Sequence, residues 1–412
     1  MAARIAIIGG GAAGMTAAIT AARTAKGNCE IILIEHTDRL GKKILATGNG
    51  KCNLTNRNIK QEFYRGNNPE FAMKALGYFG FEDTIHFFND MGLMVREKNG
   101  YFYPYSEQAA VVNDVLRLEV ERFGIKVMYE TKVERISNEK GSFSLVMAGG
   151  KKLVCDKLII ATGSKASPKT GSDGSGYTLA KGLGHKVIKP LPALVQLICK
   201  ESFYKSIAGV RADAKVTVEI EGNVISERGE LQLTDYGISG IPVFQVSRYV
   251  VGALDKKLAF TTYIDFLPDI AHKELMDFFK RQAKLAGKTV EEVLNGFMNK
   301  KLSVLIAKEC RLSPNAEFAR VKDKEFYVLI DKIKNFKVEV TGSKSFDMAQ
   351  VCQGGVDTAE LSAPTMESKL CKGLYFAGEI IDIDGACGGY NLQWAWTSGY
   401  LAGKSAAEGL NK

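Results

Sequence analysis

A glycine-rich turn close to the N-terminus constrains the fold of this chain more than any other feature of the sequence. The turn has the spacing Gly9-x-Gly11-x-x-Gly14. It follows a short β-branched apolar run, residues 4–8, and leads into residues 15–22, whose small and apolar side chains are typical of a helix. The order strand, turn, helix predicts a Rossmann unit: Gly9 forms the tight turn, Gly11 admits a pyrophosphate and Gly14 allows close packing.

A second apolar run, residues 30–35, ends on an acidic residue at the distance that such units require. Glu35 lies 21 positions beyond Gly14, where a carboxylate accepts a hydrogen bond from a ribose hydroxyl of the dinucleotide. A negative charge at this place disfavours a 2′-phosphate. The N-terminal unit is therefore predicted to bind NAD or FAD.

Three later segments favour FAD over NAD. Residues 158–164 are an apolar run that ends in a small-residue turn, as expected where the chain passes beneath a dinucleotide. Residues 373–379 form a strand that closes on Gly378 and an acid, as in many FAD proteins. Residues 384–393 lead into an amphipathic stretch whose helix N-terminus would face the N1–C2=O edge of a flavin.

Five motifs spread along the chain point to a known family. They are residues 41–56, 100–106, 161–163, 168–177 and 388–395. On these motifs the chain resembles the BaiN-type NAD(P)/FAD-dependent oxidoreductases, a bacterial and archaeal family that also includes aminoacetone oxidases. The motifs occur in the family's order, so the resemblance covers essentially the whole chain.

The resemblance implies a set of FAD contacts that includes the turn and Glu35. The expected contacts are Gly9, Gly11, Ala12, Ala13, Gly14, Glu35, His36, Lys42, Thr47, Gly48, Asn49, Gly50, Asn53, Val133, Ala161, Thr162, Gly163, Gly378, Glu379, Asn391, Leu392 and Gln393. Neutral amides and hydroxyls, as at Thr47, Asn49 and Asn53, suit the polar edges of a flavin ring.

The chain departs from the family pattern at three positions. Lys42 and Lys51 stand where the family often has Arg. Lysine at these positions keeps the positive charge but cannot bind a phosphate in the bidentate geometry of arginine. Tyr101 replaces another frequent Arg, and there the charge itself is lost. The substrate of the family does not transfer directly to this chain.

The middle of the chain has a different character. Residues 215–221 alternate apolar and polar side chains, and residues 257–266 and 336–340 do likewise, which predicts antiparallel strands. Residues 271–310 instead carry apolar residues at helical spacing.

These patterns predict an α/β fold with a discontinuous Rossmann-like FAD-binding domain. That domain comprises residues 1–190 and 350–412. An inserted β-rich or barrel domain comprises residues 191–270 and 311–349, and it carries a helical subdomain at residues 271–310. We expect the insertion to form a wall over the flavin, where substrates bind between domains.

Few side chains stand out as candidates for catalysis. Cys52 lies within the motif of residues 41–56. Its candidate roles are those of a proton donor, a redox partner and a small packed residue. Tyr103, beside Pro104, is a phenol that would protonate a reduced substrate or line a wall. The histidines have no metal-ligand spacing, and no metal is expected.

The predicted function is that of an FAD-dependent oxidoreductase acting on a small molecule. By resemblance, the leading hypothesis is an NAD(P)H-dependent reductase of an activated C=C bond, as in a bile-acid-like steroid enone or dienone. NAD(P)H would dock transiently, because the chain has no second dinucleotide turn. The alternatives are an amino-ketone oxidase that uses dioxygen, and a non-enzymatic flavin-bound module associated with RNA.

Composition indicates the compartment and the kinds of partner that are expected for this chain. Eight cysteines without a Cys-x-x-Cys pair suggest a reduced cytoplasmic protein. No apolar stretch reaches the length of a membrane span, so membrane insertion is not expected. The net charge of +9 is scattered along the chain without a run of five, which argues against a nucleic-acid partner.

Overall fold

The structure is a computed structural model that describes residues 3–139 and 141–410. It divides into two compact units. Unit 1 comprises the chain up to Pro192 together with the chain from Gln350 onward, and unit 2 comprises Ala193–Ala349.

The elements are numbered in chain order. The helices are α1 (Ala12–Ala25), α2 (Lys42–Leu45), α3 (Pro69–Leu76), α4 (Phe81–Asp90), α5 (Ala109–Arg122), α6 (Ser175–Gly182), α7 (Tyr204–Ile207), α8 (Ile241–Lys256), α9 (His272–Ala283), α10 (Val290–Asn295), α11 (Lys300–Glu309), α12 (Asp323–Lys334) and α13 (Tyr390–Glu408). The strands are β1 (Ala3–Ile8), β2 (Cys29–Ile34), β3 (Thr55–Asn56), β4 (Tyr64–Arg65), β5 (Val95–Lys98), β6 (Tyr101–Pro104), β7 (Lys126–Met128), β8 (Val133–Glu139), β9 (Ser142–Met147), β10 (Lys152–Cys155), β11 (Lys157–Ile160), β12 (Val187–Ala193), β13 (Leu197–Cys199), β14 (Arg211–Ile220), β15 (Asn223–Thr234), β16 (Gly237–Gly240), β17 (Phe260–Asp265), β18 (Phe336–Val338), β19 (Val340–Ser343), β20 (Val351–Val356), β21 (Leu374–Phe376) and β22 (Asp384–Gly385).

Unit 1 is built on a parallel sheet of five strands in the order β21-β11-β1-β2-β7. The central strand, β1, pairs in register with β2 through Ile5 and Ile31, and with β11 through Ile7 and Ile159. Their apolar side chains are buried. Near-continuous apolar strands are typical of parallel sheets, which are covered on both faces.

Two helices that are distant in sequence pack closely on each other in this unit. A Cβ on Gly399 of α13 would lie 2.5 Å from the carbonyl oxygen of Ala13, and one on Gly403 would lie 2.2 Å from that of Ala17. Glycine in α13 and alanine in α1 therefore set the distance between the backbones. The C-terminal helix is thereby fixed against the helix that follows the glycine-rich turn.

Unit 2 contains an antiparallel sheet in the order β18-β17-β14-β15-β16-β13-β19. Its long strands β14 and β15 form a hairpin around Glu221 and Gly222. The sequence assigned residues 271–310 to a helical subdomain; in the structure, α9 to α12 share one hydrophobic core with the sheet. Phe279, Phe318 and Phe326 lie at the centre of that core and contact one another.

The predicted fold class is confirmed. The chain is an α/β protein with a Rossmann-type parallel sheet and a curled antiparallel sheet in the insertion.

Candidate functional site

The glycine-rich turn connects β1 to α1 with the geometry expected of a dinucleotide site. Gly9 has φ +105°, and a Cβ there would lie 2.4 Å from the Ala161 carbonyl oxygen. A Cβ on Gly14 would lie 1.8 Å from the Gly9 oxygen, whereas one on Gly11 would meet nothing within 4 Å. Packing therefore requires Gly9 and Gly14, while Gly11 leaves room for a ligand at the helix N-terminus, where N–H groups bind phosphate. Ala12 and Ala13 begin that helix.

Glu35 follows β2 and is held directly on this turn. Its Oε2 accepts a hydrogen bond from the Gly10 N–H at 2.8 Å, and its Oε1 accepts one from the Thr37 N–H at 2.7 Å. The carboxylate is buried, and each oxygen keeps a lone pair for a ribose hydroxyl. His36 Nδ1 lies 3.6 Å from Glu35 Oε1, with a half-buried ring.

The loop after β2 has an unusual backbone. Gly48 and Asn49 both have left-handed conformations, with φ of 56° and 54°, and Gly50 follows with φ of 83°. Within this loop the Thr47 hydroxyl donates to the Ile44 carbonyl at 2.6 Å. Lys42 pairs with Asp38 at 2.5 Å, so its ammonium already has an acidic partner.

Asn53 ends this loop with an orphaned polar atom. Its Oδ1 is buried and accepts no hydrogen bond from any part of the chain that the structure describes. A Cβ on Gly389, the N-cap of α13, would lie 3.0 Å from this oxygen. An unpaired acceptor thus lies beside the free N–H groups of a helix N-terminus, an arrangement that suits the alternating donors and acceptors of a flavin ring edge.

The turn after β11 lies next to the glycine-rich turn. The Ala161 N–H donates to the Ile8 carbonyl at 2.8 Å. Thr162 Oγ1 is a second buried polar atom without a hydrogen bond among the described residues, and Gly163 has φ +72°. Val133, one of the expected FAD contacts, is buried at the start of β8.

The segment after β21 is tied to three other parts of unit 1. Glu379 Oε2 accepts from Lys43 Nζ at 2.6 Å and from the Ser164 hydroxyl at 3.0 Å. The Gly378 N–H donates to the Ser398 hydroxyl at 2.8 Å, and the Gly378 carbonyl accepts from Trp394 Nε1 at 3.1 Å. Both residues are therefore held firmly in place.

At the N-terminus of α13, the side chains bind within the protein. Asn391 accepts the Gly385 N–H at 2.7 Å and donates to the Gly385 carbonyl at 2.8 Å. Gln393 is fully buried, accepts from the Thr55 hydroxyl at 2.5 Å and donates to the Gly80 carbonyl at 3.1 Å. Leu392 between them is half-buried. A ligand here would contact the backbone N–H groups of the first turn.

The two catalytic candidates have different environments. Cys52 is fully buried, and burial raises the pKa of its thiol to about 12. Tyr103, on β6, is half-buried, and burial followed by the neighbouring Tyr101 raises the pKa of its phenol. Both groups are therefore protonated near neutral pH, but only Tyr103 has an exposed portion.

Sequence reasoning missed Lys43 and Ser164, the two partners of Glu379. Lys43 lies in the motif of residues 41–56, but it is 336 positions away from Glu379. No local pattern indicates a pair at that separation. For Ser164, the sequence signal was its place in the small-residue turn that ends residues 158–164, and this turn does not indicate a contact with Glu379.

Residues 3–139 and 141–410 lack two other kinds of feature, a membrane-spanning helix and a cluster of metal ligands. No helix there combines the length and hydropathy of a membrane span. No group of three or more His, Cys, Asp and Glu side chains is arranged to hold a metal ion in the same residues.

Comparisons with known proteins agree on one family. A family model described as "HI0933-like protein Rossmann domain" matches residues 3–405. The chain is 42% identical to a 3-dehydro-bile acid delta(4,6)-reductase of Clostridium scindens, over 98% of this chain and 99% of the relative. It is 31% identical to a ribosomal RNA dihydrouridine synthase of Escherichia coli, over 96% of this chain and 95% of the relative.

A solved structure supports the fold alone. The 3-ketosteroid delta1-dehydrogenase of Sterolibacterium denitrificans has a TM-score of 0.50 and 11% identity, and the match covers 98% of this chain and 99% of that chain.

Proposed function

Because this chain belongs to the HI0933-like Rossmann family, we propose that it is an FAD-dependent reductase of carbon–carbon double bonds conjugated to a carbonyl group. Membership of the family confirms the resemblance predicted from the five motifs, and the chain is a flavoprotein oxidoreductase. The observation that carries the finer proposal is the 42% identity, over nearly the whole of both chains, to a bile acid reductase. The leading substrate is a bile-acid-like steroid enone or dienone.

The residues of unit 1 fit FAD. The first turn of α1, with the space beside Gly11, would hold the pyrophosphate, and Glu35 would accept a ribose hydroxyl. Asn53 Oδ1 and the N–H groups at the start of α13 would bind the polar edge of the ring. Bound FAD would supply a hydride acceptor and donor, and the helix dipole at that edge favours negative charge.

The chain's own contribution to the reaction is binding and proton delivery. Reduction of a double bond conjugated to a carbonyl adds a hydride at the β carbon and a proton at the α carbon. We assign the proton to the Tyr103 hydroxyl, because its raised pKa keeps it protonated and it is only half-buried. Cys52 is given a packing role, since its thiol is fully buried.

NAD(P)H is the proposed source of the hydride. It would bind transiently at the flavin, because the sequence contains one dinucleotide turn only. An amino-ketone oxidase remains the alternative from the same family resemblance: there the substrate itself reduces FAD, and dioxygen accepts the electrons.

A second candidate substrate is a uracil base in RNA. Two relatives, 30% and 31% identical over nearly the whole chain, are named ribosomal RNA dihydrouridine synthase. The C5=C6 bond of uracil is conjugated to the C4 carbonyl, so its reduction is the same chemistry as reduction of an enone. The electron source and the protonation step would be unchanged.

Anaerobic stopped-flow spectroscopy tests the proposed function. The purified yellow protein is mixed separately with NADH, NADPH and aminoacetone while the flavin absorbance is followed. We expect rapid bleaching by a nicotinamide, and reoxidation of the bleached protein by a 3-keto-4,6-diene steroid or by a uridine-containing RNA. Bleaching by aminoacetone alone would favour the oxidase, and a protein that cannot be reconstituted with FAD would exclude both.

A further inference from the structure

We infer that unit 2 carries an RNA-binding surface on its helices, formed by Arg281, Lys284, Lys288, Lys322 and Lys324. We call this surface the basic face. The inference goes beyond the proposed reaction, because it concerns a surface of unit 2 and holds whichever double bond is reduced. It rests on charge, on the contacts that bring the five side chains together, and on one exposed aromatic ring.

Positive charge is concentrated in one part of the chain. Residues 280–324 contain eleven Lys or Arg and five Asp or Glu, an excess of six, whereas the whole chain has an excess of nine. Two thirds of the net charge therefore lies on about a ninth of the residues. A strong local excess of this kind attracts polyanions.

Tertiary contacts bring the segments that carry these cations together. Lys280, in the last turn of α9, forms an ion pair with Asp323, in the first turn of α12, at 3.4 Å. The Phe318 N–H donates to the Lys288 carbonyl at 2.8 Å. Beneath these contacts, Phe279 of α9 packs against Phe318 and Phe326. The end of α9, the loop after it and the start of α12 thus form one surface.

The five cations of the basic face have no acidic side chain within ion-pair distance in the described part of the chain. All five are exposed. Two acidic groups nearby are engaged by other cations: Asp323 by Lys280, and Glu317 by Arg320 at 3.0 Å. Glu325 caps α12 by accepting the Lys322 N–H at 2.7 Å. The charge of the basic face is therefore available to a partner.

An exposed aromatic residue accompanies this charge. Tyr327 of α12 has 65% of its surface exposed and lies one helical turn after Lys324. Residues three apart on a helix are neighbours on its surface. An aromatic ring beside lysines is the combination that binds single-stranded RNA, because bases stack on the ring while the cations contact phosphates.

Salt-dependent binding tests this inference without using turnover. The full-length holoenzyme is titrated against a fluorescent single-stranded RNA oligonucleotide between about 50 mM and about 200 mM salt. Binding through the basic face predicts a slope of log K against log salt of about −3.5, since each of five phosphate contacts contributes about −0.7. Absence of RNA binding at the lowest salt concentration would overturn the inference.

A matched pair of variants locates the binding surface. Arg281→Gln, Lys284→Gln, Lys322→Gln and Lys324→Gln are combined in one variant, for which we expect at least tenfold weaker binding and a slope shallower by about 3. The control removes four exposed lysines of unit 1 that form no ion pair with any residue the structure describes: Lys151→Gln, Lys152→Gln, Lys181→Gln and Lys372→Gln. Equal losses in the two variants would mean that net charge alone binds RNA.

Substitution of Tyr327 and a competing polyanion complete the test. Tyr327→Ala should weaken RNA binding by about tenfold with an unchanged salt slope, and Tyr327→Phe should restore it, because the ring stacks on bases. Equal binding of phosphatidylserine vesicles or of heparin at the same charge concentration would instead identify a general polyanion surface and overturn the assignment to RNA. Flavin absorbance before and after each titration verifies that the holoenzyme is intact.

Discussion

Lys43 and Glu379 lie 336 positions apart in the sequence, and their side chains form an ion pair of 2.6 Å between Nζ and Oε2. The Ser164 hydroxyl donates to the same carboxylate oxygen at 3.0 Å. Three distant segments, α2, the turn after β11 and the segment after β21, are therefore joined at one carboxylate.

Removal of either charge should destabilise unit 1. Lys43→Met leaves a largely buried carboxylate without its cation, and we expect a loss of about 1–2 kcal/mol in the free energy of unfolding. The double variant with Glu379→Gln should lose less than the sum of the single variants. Urea denaturation of the FAD-free protein measures the free energies of unfolding of the single and double variants. Lys42→Met is the control, because its partner Asp38 is exposed. Strictly additive losses of unfolding free energy from Lys43→Met and Glu379→Gln would contradict a coupling between Lys43 and Glu379.

Two glycines of the same turn should respond differently to alanine. Gly14→Ala places a Cβ 1.8 Å from the Gly9 carbonyl oxygen, so it should lower the stability of the FAD-free protein by about 3 kcal/mol or more. Gly11→Ala meets nothing within 4 Å and should leave that stability nearly unchanged while weakening FAD binding. Thermal denaturation and FAD titration of both variants separate the effects. Unaltered FAD affinity in Gly11→Ala would remove the pyrophosphate from this turn.

The carboxylate of Glu35 should matter for both fold and cofactor. Glu35→Ala removes the acceptor for the Gly10 and Thr37 N–H groups and the proposed acceptor for the ribose. We expect FAD to be lost on gel filtration, measured as the ratio of flavin to protein absorbance. Glu30→Ala, which removes a half-buried carboxylate at the start of β2 that pairs with Arg4, is the matched control. Full flavin occupancy in Glu35→Ala would argue against the ribose assignment.

Buried thiols should make stability fall at alkaline pH. Burial raises the pKa values of Cys52, Cys155 and Cys199 to about 12, whereas a thiol in an unfolded chain has a pKa of about 8.5. The folded state keeps these protons when the unfolded chain has lost them. The contribution of these thiols to the free energy of unfolding is therefore complete below about pH 8.5. It is lost as the pH rises towards 12, by about 1.4 kcal/mol per pH unit for each thiol.

The test compares two core substitutions in urea denaturation between about pH 8 and about pH 10. Cys155→Ala should reduce the pH slope of the unfolding free energy for unit 1. Leu158→Ala, at a fully buried position of β11 in unit 1, should lower stability at every pH with the slope unchanged. A slope unaffected by Cys155→Ala would show that this thiol titrates alike in both states.

Substitution of Tyr103 tests the proton donor. Tyr103→Phe should slow turnover by about 100-fold, the scale of general acid catalysis, with little change in flavin reduction by NAD(P)H. Tyr105→Phe, at a side chain that is 61% exposed, should leave turnover near the wild-type rate. Steady-state turnover and single-turnover flavin bleaching distinguish the two steps, and equal turnover in both variants would remove Tyr103 from the mechanism.

Local patterns in the sequence were sufficient for the elements of the Rossmann unit. The apolar runs at residues 4–8 and 30–35 correspond to β1 and β2, because strands covered on both faces have continuous apolar sequences. Two element boundaries in the structure differ from those expected from the sequence. The strand expected at residues 257–266 begins at Phe260, since Lys257 ends α8 in a left-handed conformation. The helical pattern expected over residues 271–310 is interrupted where α10 ends at Asn295, before Gly296.

Contacts between distant segments had no sequence signal. The Lys43–Glu379 pair is one example. The basic face is another, because its five cations lie in three segments and no segment has more than two basic residues in succession. Charge that is scattered along the sequence is brought together in space, because folding places the end of α9, the following loop and the start of α12 side by side.

The discontinuity of unit 1 has a consequence for biosynthesis. Its parallel sheet joins β1 and β2 to β21, and α13 covers α1, so this unit can close only after β21 and α13 have been synthesised. Unit 2, by contrast, is a continuous segment, Ala193–Ala349, which has emerged in full by then. Because domains fold as units during synthesis, a chain truncated before β21 would hold a folded insertion but no closed cofactor site.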